Sequence, residues 1–315
     1  HGLYATLYSF PAMMKRNLMK GSVIPRYSGL PTVLKENGYY NLFFMTHEGQ
    51  YDNMNAFFRT NGYDEVFSQE DYPVDKVVNS FGVQDDFLYD YAIPVLNQRA
   101  ATGQPFFATL LSISNHPPYV IPPFFHPKTS EPEMQIVEYA DWALRQFFEE
   151  ARKQPWFDNT IFVLEGDHGK LVGDAECELP ESYNHIPLMI YSSRIQPEEK
   201  TAFGGQVDIQ PTILGLLNID YLQNNFGVDL LKEERPCMFY TADNMVVGRN
   251  DTLLYLYNYE TQQELTYDIG NGKLNAVPMD DSFFPLKEYS FSMLQSAEFL
   301  VKHGKTLNSI PFTQQ

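Results

Sequence analysis

The apolar and β-branched run Thr160-Ile161-Phe162-Val163-Leu164 carries no polar alternation and leads straight into Glu165-Gly166-Asp167-His168-Gly169. Such a run predicts a strand buried on both faces, the kind found in a parallel sheet with helices on either side. In open α/β sheets ligands bind in the crevice beyond the carboxyl ends of the strands, and Gly166-Asp167-His168-Gly169 falls there. An adjacent carboxylate and imidazole between glycines can offer one oxygen and one nitrogen to a single divalent ion. The same four residues also suit a tight turn whose Asp caps a following helix, and alone they do not decide between the two.

Other segments repeat the pattern of a helix or strand delivering polar residues to an edge. Ser28 to Gly38 predicts a short helix, with Ser28 as cap, Pro31 in its first turn and Gly38 as its stop. A strand from Tyr40 to Met45 follows, and this αβ unit points to a wound parallel sheet. It ends at Thr46-His47-Glu48-Gly49-Gln50-Tyr51-Asp52-Asn53, which makes His47 and Asp52 candidates for a substrate pocket, although a polar surface loop explains the same string. Val83 to Ala101 predicts a helix that Pro94 either kinks or begins.

The run Pro105 to Ile113 predicts a second doubly buried strand, delivering Ser114-Asn115-His116-Pro117-Pro118-Tyr119. Two prolines hold the His116 ring at low entropy cost, as suits a group that binds an anion or passes a proton; a histidine bonded within its own loop is the alternative. Glu133 to Lys153 predicts an amphipathic helix with Val137, Ala140, Leu144, Phe147 and Phe148 inward. Beyond the opening motif, Lys170 to Ser182 reads as an acidic loop over the pocket. His185 heads a strand through Tyr191, on a connection able to reach back to the Asp167 edge, or is a polar group at a strand start. Gly204 to Ile219 reads as a helix that Asp208 caps.

Past Leu231 the texture changes to short strands at close spacing, Cys237–Tyr240, Met245–Val247, Thr252–Tyr259 and Glu264–Asp268, which predicts antiparallel pairing. A helix from about Pro285 to His303 follows. The organisation expected is therefore an α/β domain over residues 1–231 and a small α+β subdomain over 232–315, with a mostly parallel sheet flanked by helices in the first. No internal repeat or low-complexity tract interrupts it.

Composition narrows the partners. The 22 basic and 40 acidic residues give a formal charge of −18, which argues against a nucleic-acid partner, because phosphate backbones are bound by neutralising them. An anionic substrate would need local help, and a metal ion can supply it. No uncharged apolar run approaches the length of a membrane span. Cys177 and Cys237 match neither a zinc spacing nor a CxxC motif, and are either free or paired. The chain opens on His1 inside structured sequence, so the expectation is a fragment whose upstream part is missing. No G-x-S-x-G elbow occurs, which disfavours an ordinary intracellular α/β hydrolase.

Three loops carrying His47, Asn115-His116 and Asp167-His168 are expected at one edge of one sheet, where separate structural explanations for each lose force. Their wording resembles a known family. Leu30-Pro31-Thr32-Val33-Leu34-Lys35-Glu36-Asn37-Gly38-Tyr39, Ser114-Asn115-His116-Pro117-Pro118-Tyr119, Gly166-Asp167-His168-Gly169 and Gly205-Gln206-Val207-Asp208-Ile209-Gln210-Pro211-Thr212-Ile213-Leu214 resemble the extracellular catalytic domain of lipoteichoic acid synthase-type enzymes. Those enzymes belong to the sulfatase and alkaline phosphatase superfamily, and the resemblance runs from about residue 28 to 231.

The resemblance implies that Asp167 and His168 ligate a divalent ion, usually manganese, with magnesium, calcium and zinc as alternatives. It makes His116 a substrate-contacting residue with Asn115 beside it, and His47 a pocket residue. It also implies a carboxylate ligand and a threonine nucleophile upstream of these motifs, so that this chain alone would bind metal weakly and not turn over; Thr6 lies within the helix that the nucleophile precedes. Membrane helices upstream would hold the domain outside the cytoplasm, facing a phospholipid head group or an envelope glycan or phosphate ester. Where the synthases place a Trp-Asn-Arg cluster, this chain has Tyr51-Asp52-Asn53-Met54. Lacking the arginine, it leaves open glycerol phosphate transfer, another phosphotransferase, a phosphodiesterase or a sulfatase. A second expectation, of another class, is a catalytically silent sulfatase-like domain that binds an envelope polymer or a protein partner.

Overall fold

The structure is a computed structural model that describes residues 2–14, 17–21, 23–171 and 173–308. In chain order its elements are α1 (Gly2–Tyr8), α2 (Leu30–Glu36), β1 (Tyr40–Met45), α3 (Met54–Thr60), β2 (Glu65–Phe67), α4 (Asp85–Ala100), β3 (Phe106–Leu111) and α5 (Pro132–Ala151). Then come β4 (Phe162–Glu165), β5 (Leu188–Tyr191), α6 (Ile209–Leu216), β6 (Met238–Ala242), β7 (Met245–Arg249), β8 (Leu253–Asn258), β9 (Gln263–Asp268), β10 (Asn275–Ala276) and α7 (Phe284–Lys302). They form two compact units, Pro31–Ile161 with Ser192–Gln196, and His1–Leu30 with Phe162–Tyr191 and Pro197–Gln315. Residues on both sides of position 231 belong to the latter. Among the described residues no helix is long and apolar enough to cross a membrane.

The unit Pro31–Ile161 is built on a parallel sheet in the order β2-β1-β3. Tyr40 lies opposite Phe106 and Met45 opposite Leu111. As the centre strand, β1 is closed off on both faces, and Leu42 to Met45 have no exposed surface. Phe43 stacks on Phe58 of α3 at 4.2 Å and meets Tyr63 edge-on. β3 is only half buried, against the doubly buried strand its sequence predicts, because it has a strand partner on one side alone.

α4 runs unbroken through Pro94, which neither begins nor ends it. In α5 the inward stripe is Ile136, Tyr139, Ala143, Phe147 and Ala151, one position away from the expected Val137, Ala140 and Leu144. Tyr139 decides the rotation: its ring meets Phe125 edge-on at 5.6 Å and its hydroxyl donates to Asp86 at 2.5 Å.

In the other unit β4 pairs with β5, antiparallel, with Phe162 opposite Tyr191 and Glu165 opposite Leu188. This corrects the expectation that β4 lies in the same sheet as β1 and β3. Among its described residues the connection from 166 to 187 contains a single short 3-10 turn, Glu181–Tyr183, and without a crossover helix an antiparallel return is the ready solution. A two-stranded ribbon also leaves β4 half buried and Met189 of β5 54% exposed.

The short strands after Leu231 form the antiparallel meander foreseen, in the order β10-β9-β8-β7-β6. α7 packs across β6 and β7, with Phe283 and Leu286 against Tyr255 and Cys237. Two expected caps are otherwise engaged. Ser28 lies two residues before the start of α2, and its Oγ accepts the Asn308 N–H at 2.8 Å. Asp208 makes no side-chain cap bond to α6; its carboxylate accepts Gly205 and Val228 N–H and is gripped by the buried guanidinium of Arg235. Both cysteines are free thiols.

Candidate functional site

The candidate residues fall into two groups, one in each unit. In the unit that contains β4, the turn after that strand carries Asp167 and His168, and the backbone around it is held from three sides. Gln206 Nε2 donates to the carbonyls of Gly166 and Asp167, at 3.2 and 2.9 Å. The N-terminus of α1 closes in so tightly that a Cβ on Gly2 would lie 1.9 Å from Asp167 O, which only glycine permits. The Gly169 N–H donates to Tyr183 O at 3.0 Å, so the segment leading to His185 does reach back to this turn. The His185 ring itself is exposed, and its backbone N–H donates to Glu181 O at 2.7 Å.

Within this turn His168 Nδ1 lies 2.8 Å from Gly169 O. A proton on Nδ1, donated to that carbonyl, leaves the Nε2 lone pair on an exposed ring for a ligand, the arrangement metal-binding histidines use. Asp167 Oδ1 accepts the His168 N–H at 3.0 Å, and its carboxylate is half exposed. One carboxylate and one imidazole are donor types that suit a divalent ion. Among the described residues, however, no three His, Cys, Asp or Glu side chains gather into one group. Among the described residues this turn therefore offers a pair of candidate donors, fewer than a full coordination sphere needs.

Glu165, the last residue of β4, was not singled out by its sequence. Its Oε1 accepts the Thr6 hydroxyl at 2.5 Å, while Oε2 is buried with no partner among the described residues. Burial pushes the carboxyl up to about 7, the Thr6 bond opposes that, and the charge on Asp167 adds to it. Thr6 itself is buried in α1 and also bonds the Gly2 carbonyl at 3.1 Å.

In the unit Pro31–Ile161, β1 and β3 run parallel and in register, so the loops after Met45 and Leu111 leave the same edge of the sheet. The first holds His47, buried, its Nδ1 3.1 Å from Glu48 O and its ring 4.7 Å from that of Tyr51. Burial lowers its pKa below the usual imidazole value, against the pull of the Glu48 carbonyl and of the carboxylates of Asp52, Glu70 and Glu48. Asp52 and Asn53 both take left-handed backbone, φ 49° and 63°, which turns the chain into α3. The second loop holds Asn115 and an exposed His116, whose Nδ1 lies 2.7 Å from Pro117 O and whose ring leans on Phe81 at 4.2 Å.

Phe81 and its neighbours bridge the two loops, a role their sequence does not announce. Gly82 sits so close to the β1 loop that a Cβ would fall 1.7 Å from Thr46 O, and Val83 N–H donates to that same oxygen at 3.2 Å. Buried Asp85 then takes the backbone N–H groups of Ile113 and Ser114, both at 3.0 Å, and so pins the chain just before His116. Burial pushes the Asp85 carboxyl upward while those bonds work against it.

A family model described as Sulfatase matches residues 1–219. Lipoteichoic acid synthase 1 of Bacillus subtilis is 26% identical over 270 residues, which are 78% of this chain and 40% of that protein. The lipoteichoic acid synthase of Staphylococcus saprophyticus is 26% identical over 235 residues, 66% of this chain and 35% of its own. The chain thus spans two fifths or less of the length of these curated relatives. Among solved structures, a protein in the alkaline phosphatase superfamily from Vibrio parahaemolyticus matches with a TM-score of 0.86 at 26% identity, covering 98% of this chain and 76% of that one. The lipoteichoic acid synthase LtaP from Listeria monocytogenes shares the fold, with a TM-score of 0.79 at 23% identity over 99% of this chain and 81% of its own. The family match extends over well more than half of the sequence, across both candidate groups, and by it the chain belongs to the sulfatase family.

Proposed function

We propose that this chain is catalytic sequence of a metal-dependent enzyme that transfers or hydrolyses phosphate or sulfate esters at the cell envelope, outside the cytoplasm. The observation that carries the reading is the Asp167–His168 pair: a half-exposed carboxylate and an imidazole whose Nδ1 faces a carbonyl, on a turn clamped by Gln206, in a sulfatase-family chain. These two residues would hold a divalent ion, manganese before magnesium, calcium or zinc. Such an ion, when bound, offsets the negative charge that develops on attacking and leaving oxygens.

The remaining roles belong to the chain's own side chains. Gln206 and Gly2 fix the carbonyl of Asp167 and hence the direction of its carboxylate. His116, exposed and with its Nδ1 proton donated to the Pro117 carbonyl, presents the Nε2 lone pair as a proton acceptor, and donates to an ester oxygen from Nε2 once it has taken that proton, with Asn115 beside it. His47, whose protonation burial disfavours, sits in the β1 loop of the same unit as His116 and adds little charge there. Asp52, in a segment that lacks the synthases' arginine, repels a phosphate head and favours an amine or a sugar hydroxyl in its place. Thr6, buried and engaged with Glu165 and the Gly2 carbonyl, is not the nucleophile; that role goes to a threonine earlier in the reading frame.

The test is the full reading frame, purified with each metal in turn and offered bis(p-nitrophenyl) phosphate, p-nitrophenyl sulfate and phosphatidylglycerol. The reading expects manganese-stimulated turnover of at least one, reduced about 100-fold or more by Asp167→Asn or His168→Gln, and survival of most activity in Thr6→Ser. Absence of turnover with every metal, together with retained binding of envelope polymer, would establish the silent domain instead.

A further inference from the structure

We propose that the unit containing α7 carries a binding groove for a neutral glycan, independent of the two candidate groups above. A cavity of about 640 Å³ lies between the loop 223–226 and the outward face of α7, where Ser292, Gln295, Ser296 and Phe299 recur at helical spacing. A second hollow of about 500 Å³ shares Ser292 and continues along the helix past Phe291 to Phe284. From Phe284 to Phe299 the helix extends roughly 22 Å, room for several hexose rings.

The ligand class follows from which polar atoms are free. Asn224 Nδ2 donates to the carbonyls of Lys305 and Leu307, at 2.7 and 3.2 Å, which fixes the amide and leaves its Oδ1 as a directed acceptor. Gln223 Nε2 is likewise committed, to Gly227 O and to Asn225 Oδ1, and its own oxygen is left over. Asn225 donates its amide to the buried Gln210 Oε1, and Gln210 Nε2 has no partner among the described residues. Fixed amide oxygens call for ligand O–H or N–H donors. The hydroxyls of Ser292 and Ser296 and the amide of Gln295 can give or accept as needed. Phe299, 51% exposed, has the His303 ring against it at 4.1 Å and offers its remaining apolar surface to a pyranose ring.

Among the described residues no charged side chain lines the first cavity; the second is lined by Lys287, already paired with Glu264, and by the Glu288 carboxylate. In a chain of net charge −18, an anionic ligand finds no cation here, and a cationic one finds no carboxylate in the first cavity. A polyhydroxylated, uncharged ligand offers O–H donors to the left-over amide oxygens of the first cavity and to the Glu288 carboxylate of the second. The inference rests on these residues alone and stands whether or not the enzyme reading does.

Saturation-transfer NMR on the protein tests it, with gentiobiose and N,N′-diacetylchitobiose as neutral probes and glycerol 3-phosphate as the anionic comparison. At least one disaccharide is expected to bind saturably with a millimolar Kd unchanged by about 0.5 M salt. Phe299→Ala and Gln295→Ala, both at exposed positions, should each weaken it about tenfold, while Asp167→Asn leaves it intact. Three outcomes overturn the proposal: neither disaccharide saturates, binding ignores both α7 substitutions, or only glycerol 3-phosphate binds.

Discussion

Ile113 and Ser114 both donate their backbone N–H to one oxygen, Oδ1 of Asp85. Asparagine carries an oxygen at the same place, and Ser114 Oγ, already beside the Asp85 backbone at 3.2 Å, can receive its amide proton. Asp85→Asn is therefore expected to change unfolding free energy by about 1 kcal/mol or less, while Asp85→Ala strands two buried donors and costs about 2–4 kcal/mol. Urea melts of the two variants separate the outcomes, and equal losses in both would show that the charge matters more than the oxygen. Histidines 47 and 116 could be picked out from sequence because a polar loop after an apolar run is a local pattern. Asp85 could not, since it reads there as an ordinary acidic residue in a helix's first turn. Glu165 was hidden for a different reason: the residue that defines its surroundings, Thr6, lies 159 positions away.

The elements with long, regular patterns were legible, and those whose identity depends on a neighbour were not. β1, α4, α5, α7 and the meander stand within a few residues of where periodicity put them, whereas β2 has three residues and exists only by pairing with β1. The start of α6 shows how packing overrides local grammar. Asp208 has the type and position of a helix cap, but Arg235 offers it a bidentate, fully buried guanidinium, with 1% and 0% of the two side chains exposed. Such a pair holds the α6 entry against the chain before β6, and Arg235 adds Tyr289 of α7 at 2.9 Å. Arg235→Met leaves the Asp208 charge buried among two N–H donors and should lower stability by about 3–5 kcal/mol. Arg235→Lys keeps the charge without the fork and should lose less. Thermal melts followed by near-UV circular dichroism would register both, and a Met variant as stable as the parent would mean that Asp208 is protonated or solvated once its partner is gone.

Across the molecule, 40 acidic against 22 basic side chains set a field that any anionic substrate must cross. The field reaches roughly 30 Å at about 10 mM salt and only about 8 Å near 0.15 M. For the enzyme proposed above, kcat/KM on an anionic phosphodiester should therefore rise severalfold over that range, through KM, while kcat stays level because the bound complex is already past the barrier. The metal responds in the opposite sense, since a divalent cation is drawn in by the same field and is held less well as salt screens it. The measurement accordingly needs saturating metal at every ionic strength, or the two trends cancel. A KM that climbs with salt at saturating metal would mean that the substrate senses a local positive field, of which the ion itself is the obvious source. The acidic surface would then govern what approaches the protein in general without governing its substrate.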